Sequence, residues 1–288
     1  MRVDLSNFRY LGSGRFWLRV WREVNADDCW GMAAQLSYYF LLAFFPFLIF
    51  ISALVSFIPG VPGLLEKLLY DFYRFVPEES YDLVQGILGR VLYARDQSVL
   101  TLGLASALWF ASSAFNGMIA LLNKAYEVHD PRSYFKTRTL AILVTIVVSV
   151  FLVLSGILIF FGDLMVETLT DRGGVRFLYT LLRWAVIFIL LNVGVQIVYY
   201  SLPARRYPWS LITPGGMLAT VGWIIGSLSF QAYVSRFGSF QILFGSLGAL
   251  IILMLWFYLS SFCLLLGGEV DSEIHKIRRE AFAPEPEA

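Results

Sequence analysis

The sequence predicts an all-α integral membrane protein: a six-transmembrane-helix bundle with amphipathic interfacial helices between spans one and two. Three observations carry this. Of the 288 residues, 58% are hydrophobic and only 15% are charged, where a soluble domain carries about 25% charged residues. Six apolar runs, at 31–58, 99–123, 139–161, 177–202, 211–235 and 242–268, each exceed the roughly 20 residues a helix needs to cross a bilayer core of about 30 Å. These runs are also too long and too uniformly apolar for barrel strands. The same numbers exclude a soluble enzyme, a disordered chain and a disulfide-built secreted domain.

Residues 1–30 form an N-terminal segment that precedes the first span. Within it, residues 14–28 interleave Phe16, Trp17, Val20, Trp21 and Val24 with Arg15, Arg19, Arg22 and Glu23. This is the pattern of an amphipathic helix on the membrane surface, its arginines near anionic head groups. No short apolar core stands before a small-residue cleavage site, so the first span reads as an uncleaved anchor. Residues 31–268 are the six-span domain. Between spans one and two, residues 64–96 carry two amphipathic helical patterns. Leu65, Leu68, Leu69, Phe72, Phe75 and Val76 line the first, Pro77 breaks it, and Tyr81, Val84, Leu88, Val91 and Leu92 line the second. Residues 269–288 turn polar and end in APEPEA, the composition of a partly disordered tail.

Orientation follows from lysine and arginine. With the N-terminus inside, 14 of the 22 basic residues lie in the inside segments, so both termini of this multi-pass protein are expected in the cytoplasm. A formal net charge of +1 offers no field for a nucleic-acid partner. The two cysteines, Cys29 and Cys263, suggest neither a disulfide nor a metal site. No Gly-rich phosphate loop, GxSxG or HExxH motif is present. The sequence therefore names no catalytic, cofactor-binding or metal-binding residues.

The residues that bear on function are polar ones at helical spacing inside the spans: Gln35, Tyr38 and Tyr39 in span one, Ser112, Asn116 and Asn123 in span two, and Asn192, Gln196, Tyr199 and Tyr200 in span four. If these faces converge they line a polar vestibule open to the cytoplasm. The alternative is plain hydrogen bonding between helices, worth about 0.6 kcal/mol per contact. At the inner surface, Arg132, Arg138, Arg205 and Arg206 are candidate contacts for an anionic head group, against the simpler role of setting topology. Pro46, Gly222, Gly226, Gly245, Gly248 and Glu269 are candidates for gating or close packing, with Glu269 also placed to pair with one of those arginines. Arg183 is the deepest charge, and no Asp or Glu sits in mid-span, so a carboxylate proton relay has no support here. The loop pair His129–Asp130 reads as solvated.

Several stretches resemble the YihY/BrkB family of bacterial inner-membrane proteins: FGSLGALIILMLWFYLSSFCLLLGGE at 244–269, MAAQLSYYFLLAFFPFLIF at 32–50, ALLNKAYEV at 120–128, VYYSLPARRYPW at 198–209 and PGGMLATVGW at 214–223. Phe244 stands where the family commonly has tyrosine. The resemblance implies six transmembrane helices in the cytoplasmic membrane, a link of one member to virulence or serum resistance, and lipid or solute export as a role considered for others. It also carries an old ribonuclease label, which a chain without a soluble domain or a basic RNA surface argues against.

Two functional expectations result. The first is a transporter or flippase-like conduit for a lipid or other amphipathic anion, with membrane lipids as its partners. The second is a non-transporting scaffold for envelope assembly, which would bind a protein partner through residues 64–96. The sequence leaves the cargo, the energy source and the oligomeric state open.

Overall fold

The computed structural model describes residues 5–56, 97–169, 173–204, 209–236 and 246–282. A 3-10 segment, Leu5–Gly12, leads into α1 (Gly14–Ala26), α2 (Cys29–Ser56), α3 (Gln97–Ala125), α4 (Tyr134–Leu169), α5 (Gly173–Ser201), α6 (Pro214–Arg236) and α7 (Ser246–Phe282). Among the described residues, five helical stretches are long and apolar enough to cross a membrane: Thr101–Ala125, Tyr134–Gly156, Arg176–Ser201, Pro214–Val234 and Gly248–Glu280. The apolar run at 31–58 carries the 28-residue helix α2, whose described side chains end at Phe47. The amphipathic patterns at 64–96 lie outside the described residues, as do Arg205, Arg206 and Gly245.

The chain forms two compact units, Met1–Tyr38 with Ser112–Ala288, and Tyr39–Ala111. In the smaller unit Ala43 and Ala107 are buried, while Phe45, Phe47, Leu102 and Trp109 are exposed. Pro46 sits half-buried inside α2.

In the larger unit, α6 and α7 pack antiparallel along a stripe of small residues. Gly215 meets Gly267, a Cβ on Gly222 would lie 3.9 Å from the Cys263 sulfur, and one on Gly226 would lie 3.2 Å from Leu259. The Trp223 indole N–H donates to the Ser260 hydroxyl at 2.9 Å within this seam. Bare backbone lets the two helices approach closely, and this is how helices associate where lipid is as apolar as leucine. The outer surface is apolar in the same way: Leu152, Phe177, Leu181, Ile225 and Leu228 are all more than half exposed. A water-soluble protein would not present so much contiguous apolar surface.

α1 forms where its periodicity predicts, but its apolar residues divide. Phe16, Val20 and Val24, spaced four apart, are buried, whereas Trp17, Leu18 and Trp21 face outward. α1 packs with α7, so it is bound to the bundle as well as carrying an exposed aromatic face. α7 runs on as helix well beyond Glu269. At 33 residues its apolar-to-charged stretch Gly248–Glu280 is about 50 Å long at 1.5 Å per residue. That exceeds a bilayer core, so its charged end projects past the hydrocarbon.

Candidate functional site

A dense polar cluster lies where the charged end of α7 meets the start of α6. The segment Thr213-Pro214-Gly215-Gly216 opens α6 with proline in its first turn, where the missing N–H is harmless. Thr213 caps the helix: its hydroxyl oxygen accepts the Gly216 N–H at 3.0 Å. Asp271, reaching across from α7, accepts the Gly215 N–H at 2.7 Å and the Thr213 O–H at 2.6 Å. A carboxylate is favourable there because unpaired N–H groups and the helix dipole both present positive charge. From α5, the Gln196 side-chain amide donates to the same Thr213 oxygen at 2.9 Å. One turn deeper, Asn192 donates to the Thr220 hydroxyl at 3.3 Å, and that hydroxyl donates to the Gly216 carbonyl at 2.9 Å. Asp271, Gln196, Asn192 and Thr220 are all buried. A hydrogen-bonded polar file therefore runs from α7 across α6 and along α5. Tyr199, on the same side of α5, donates to the Leu264 carbonyl of α7.

Glycine makes this crossing possible. A Cβ on Gly215 would overlap the Gly267 carbonyl and the Asp271 carboxylate, and one on Gly216 would overlap the Gln196 amide. One on Gly268 would approach Leu122 to 2.6 Å.

A second cluster ties the α3–α4 loop to the end of α5. Asn123 donates to Asp130 at 2.9 Å and accepts the Ala204 N–H at 2.6 Å. Arg132 grips Asp130 with two side-chain nitrogens, at 2.8 and 2.7 Å, and also donates to the Leu202 carbonyl at 2.8 Å. The Arg132 guanidinium, its N–H and Asn123 together hold the Asp130 carboxyl below its ordinary range, although partial burial opposes them. With a lowered value, Asp130 stabilises the fold fully above the unfolded carboxyl range, and this is lost as pH falls through the folded one. The melting temperature of the wild type is therefore expected to exceed that of Asp130→Asn at neutral pH. The gap should close below about pH 4, as thermal unfolding in detergent at stepped pH would record.

Further polar groups bind helix ends to α7. Ser272 donates to the Ala125 carbonyl at the end of α3 at 2.5 Å. Lys276 pairs with Glu23 of α1 at 2.8 Å and with Glu127 at 3.0 Å. Arg19 of α1 pairs with Glu280 at 3.1 Å and Glu273 at 3.4 Å. The Cys29 thiol at the start of α2 donates to Glu269 at 3.5 Å.

The residues expected from the sequence divide accordingly. Gln196, Asn192 and Tyr199 come together at α6 and α7. Ser112 and Asn123 are buried and Asn116 is half-buried. Gln35, Tyr38 and Tyr200 are exposed, Tyr200 with its ring edge-on to Trp209 at 5.1 Å. Tyr39 is half-buried in the smaller unit. Arg132 is engaged by Asp130 and the Leu202 carbonyl, and Arg138 is buried, with one guanidinium nitrogen donating to the Ser113 hydroxyl at 3.1 Å. Glu269 is held by a thiol and not by Arg132. Arg183 is buried, its guanidinium 5.7 Å from the Trp184 ring centre, and Gly248 is buried.

The sequence reading missed Asp271, Glu273 and Lys276 because it ended the structured part at Glu269, and it missed Thr213 because that residue's role as a cap depends on partners from α5 and α7. Val270 and Ile274, both buried, continue the one-face apolar spacing and were the available signal that the helix goes on. Among the described residues no group of three or more His, Cys, Asp and Glu is placed to hold a metal ion.

The family model for the virulence factor BrkB matches residues 20–288. The chain is 33% identical to the ribonuclease-like protein YfkH of Bacillus subtilis strain 168, over 86% of this chain and 90% of that protein. It is 24% identical to a UPF0761 membrane protein of Psychromonas ingrahamii, over 92% and 89% of the two chains. A UPF0761 membrane protein of Coxiella burnetii is likewise 24% identical, over 93% and 96%. No solved structure matches. With this match over nearly its whole length and its several membrane-length apolar helices, the chain belongs to the BrkB virulence-factor family of membrane proteins.

Proposed function

We propose that the protein is a conduit for a lipid or other amphipathic anion across the bacterial inner membrane, and that the polar file on α5, α6 and α7 is its path. In this reading six helices span the bilayer and both termini face the cytoplasm. Asp271 and the α6 N-terminus then form the cytoplasmic end of the path, with Arg205 and Arg206 next to it in sequence. The observation that carries the reading is the burial of Asn192, Gln196, Thr220 and Asp271 together, where three predominantly apolar helices meet. Polar and ionisable groups are expensive within spans, and where they gather they mark substrate or ion pathways. Four such groups in one connected file exceed what helix association requires.

A closed file that opens for cargo must admit water-borne reagents from one side. In a Cys29→Ser/Cys263→Ser background, single cysteines at Gln196 and Asn192 are expected to react with a small charged thiol reagent added on the cytoplasmic side, Gln196→Cys faster than Asn192→Cys. Ile187→Cys, on the same helix and equally buried, is expected to stay unlabelled. Equal inertness of all three positions in correctly inserted protein would assign the file to packing alone.

A further inference from the structure

Three buried carboxylates stand in the first turns of α7's charged end, and their surroundings differ. Asp271 accepts an N–H and an O–H. Glu273 faces Arg19. Glu269, the most buried at 1% exposure, has only the Cys29 thiol on one oxygen, and its other oxygen, Oε2, has no hydrogen-bond partner among the described residues. A thiol is a weak donor. The Asp27 carboxylate, at the joint between α1 and α2, faces the same place. It too is buried, with Oδ1 at 3.5 Å from the Lys124 amine and Oδ2 without a partner. The other charges facing Glu269 are Lys276 on its own helix and Glu23 on α1. Those two pair with each other, and Lys276 also pairs with Glu127, so the lysine is already shared.

Two adjacent buried carboxylates, each with an unserved oxygen, are the arrangement that takes up one proton. The proton supplies the missing donor and removes one of two like charges. We infer that Glu269, with Asp27 beside it, is a proton-binding site, and that on the conduit reading its proton is the coupling ion for transport. Release of the proton leaves two negative charges facing each other across the contact between α7 and the α1–α2 joint. Glu269 follows directly on Gly267 and Gly268, whose backbones lie against Gly215 and Leu122. A displacement of Glu269 is therefore passed to the α6 N-terminus, where Asp271 and Gln196 meet Thr213.

The test uses full-length protein in liposomes and has two readouts. Infrared spectroscopy is expected to show a protonated-carboxyl band in the wild type that disappears as pH is raised. The component of that band that persists to the highest pH should be absent in Glu269→Gln, and in Asp27→Asn that component should be lost at lower pH, because the neighbouring charge is gone. Exchanging potassium for sodium should leave the titration unchanged. A sodium-dependent shift, or no such band in the wild type, overturns the site. The second readout is movement of head-group-labelled phosphatidylglycerol under an imposed gradient of about one pH unit. One coupled proton should shift its inside-to-outside ratio roughly tenfold in the wild type and leave Glu269→Gln unshifted. Lipid movement indifferent to the gradient in both proteins overturns the coupling and leaves the conduit standing. No lipid movement, with a band that still titrates, overturns the conduit and its coupling but keeps the proton site.

Discussion

Replacing Gly267 by leucine is expected to prevent the bundle from forming. A Cβ at that position would overlap the Gly215 carbonyl and the Tyr199 hydroxyl, and would stand 2.8 Å from the Ala219 Cβ. The first obstacle is backbone, which cannot swing aside as a side chain does. The second is a hydroxyl already committed to the Leu264 carbonyl. Relief requires α6 and α7 to separate along the seam that also holds the Trp223–Ser260 bond. The cost is expected to be about 3 kcal/mol or more, the upper range of overpacked sites. It should appear as a loss of monodisperse protein in detergent and of a cooperative thermal transition. Gly222→Ala is the control on the same seam. Its new methyl would meet only the Cys263 sulfur, at 3.9 Å, and alanine is the better helix former, so its stability should stay within about 1 kcal/mol of the wild type. A Gly267→Leu protein that melts like the wild type would refute the close crossing.

The second large effect is expected on transport with the fold retained. Leucine at both Asn192 and Gln196 removes the amides that bridge α5 to Thr220 and Thr213 but keeps similar side-chain volumes. Each lost interhelical bond costs about 0.6 kcal/mol on average within a membrane, and Thr213 and Thr220 keep their bonds to Asp271 and to the Gly216 carbonyl. Thermal stability should therefore fall only modestly. The path, in contrast, is expected to close. Two leucines make its middle apolar, and movement of head-group-labelled phospholipid should drop to the protein-free background. A double variant that moves lipid at the wild-type rate would place the route elsewhere.

What could be read from the sequence, and what could not, follows from the range of the interactions. Apolar runs declare the membrane helices because the bilayer imposes length and hydropathy on each segment independently. Helical periodicity found α1, although its apolar residues divide between a buried row, Phe16, Val20 and Val24, and an exposed aromatic face. Helical spacing grouped Asn192, Gln196 and Tyr199 on one side of α5, and they do share partners on α6 and α7. Spacing does not say which way a face points, however: Gln35 and Tyr38 form the same kind of set and lie exposed. Nor does it encode partners far along the chain. Gly215 and Asp271 meet across 56 residues, and only the crossing of α6 with α7 brings them together. Counting charges offered Arg132 as a head-group contact or topology signal and could not show its turn with Asp130. The bond from its own N–H to Asp130 at 3.0 Å is a local feature that the Asp-Pro-Arg order permits.

The central claim, that this protein carries an amphipathic anion across the membrane, is tested most directly on the wild type alone. Purified protein is reconstituted into liposomes, its insertion is verified, and the transfer of head-group-labelled phospholipid between leaflets is followed against protein-free vesicles. The conduit predicts transfer well above that background, saturating with the anionic lipid that is the cargo. Well-folded, correctly inserted protein that leaves the label where it was, whichever head group is offered, would contradict it. Attention would then move to the scaffold reading and to residues 64–96.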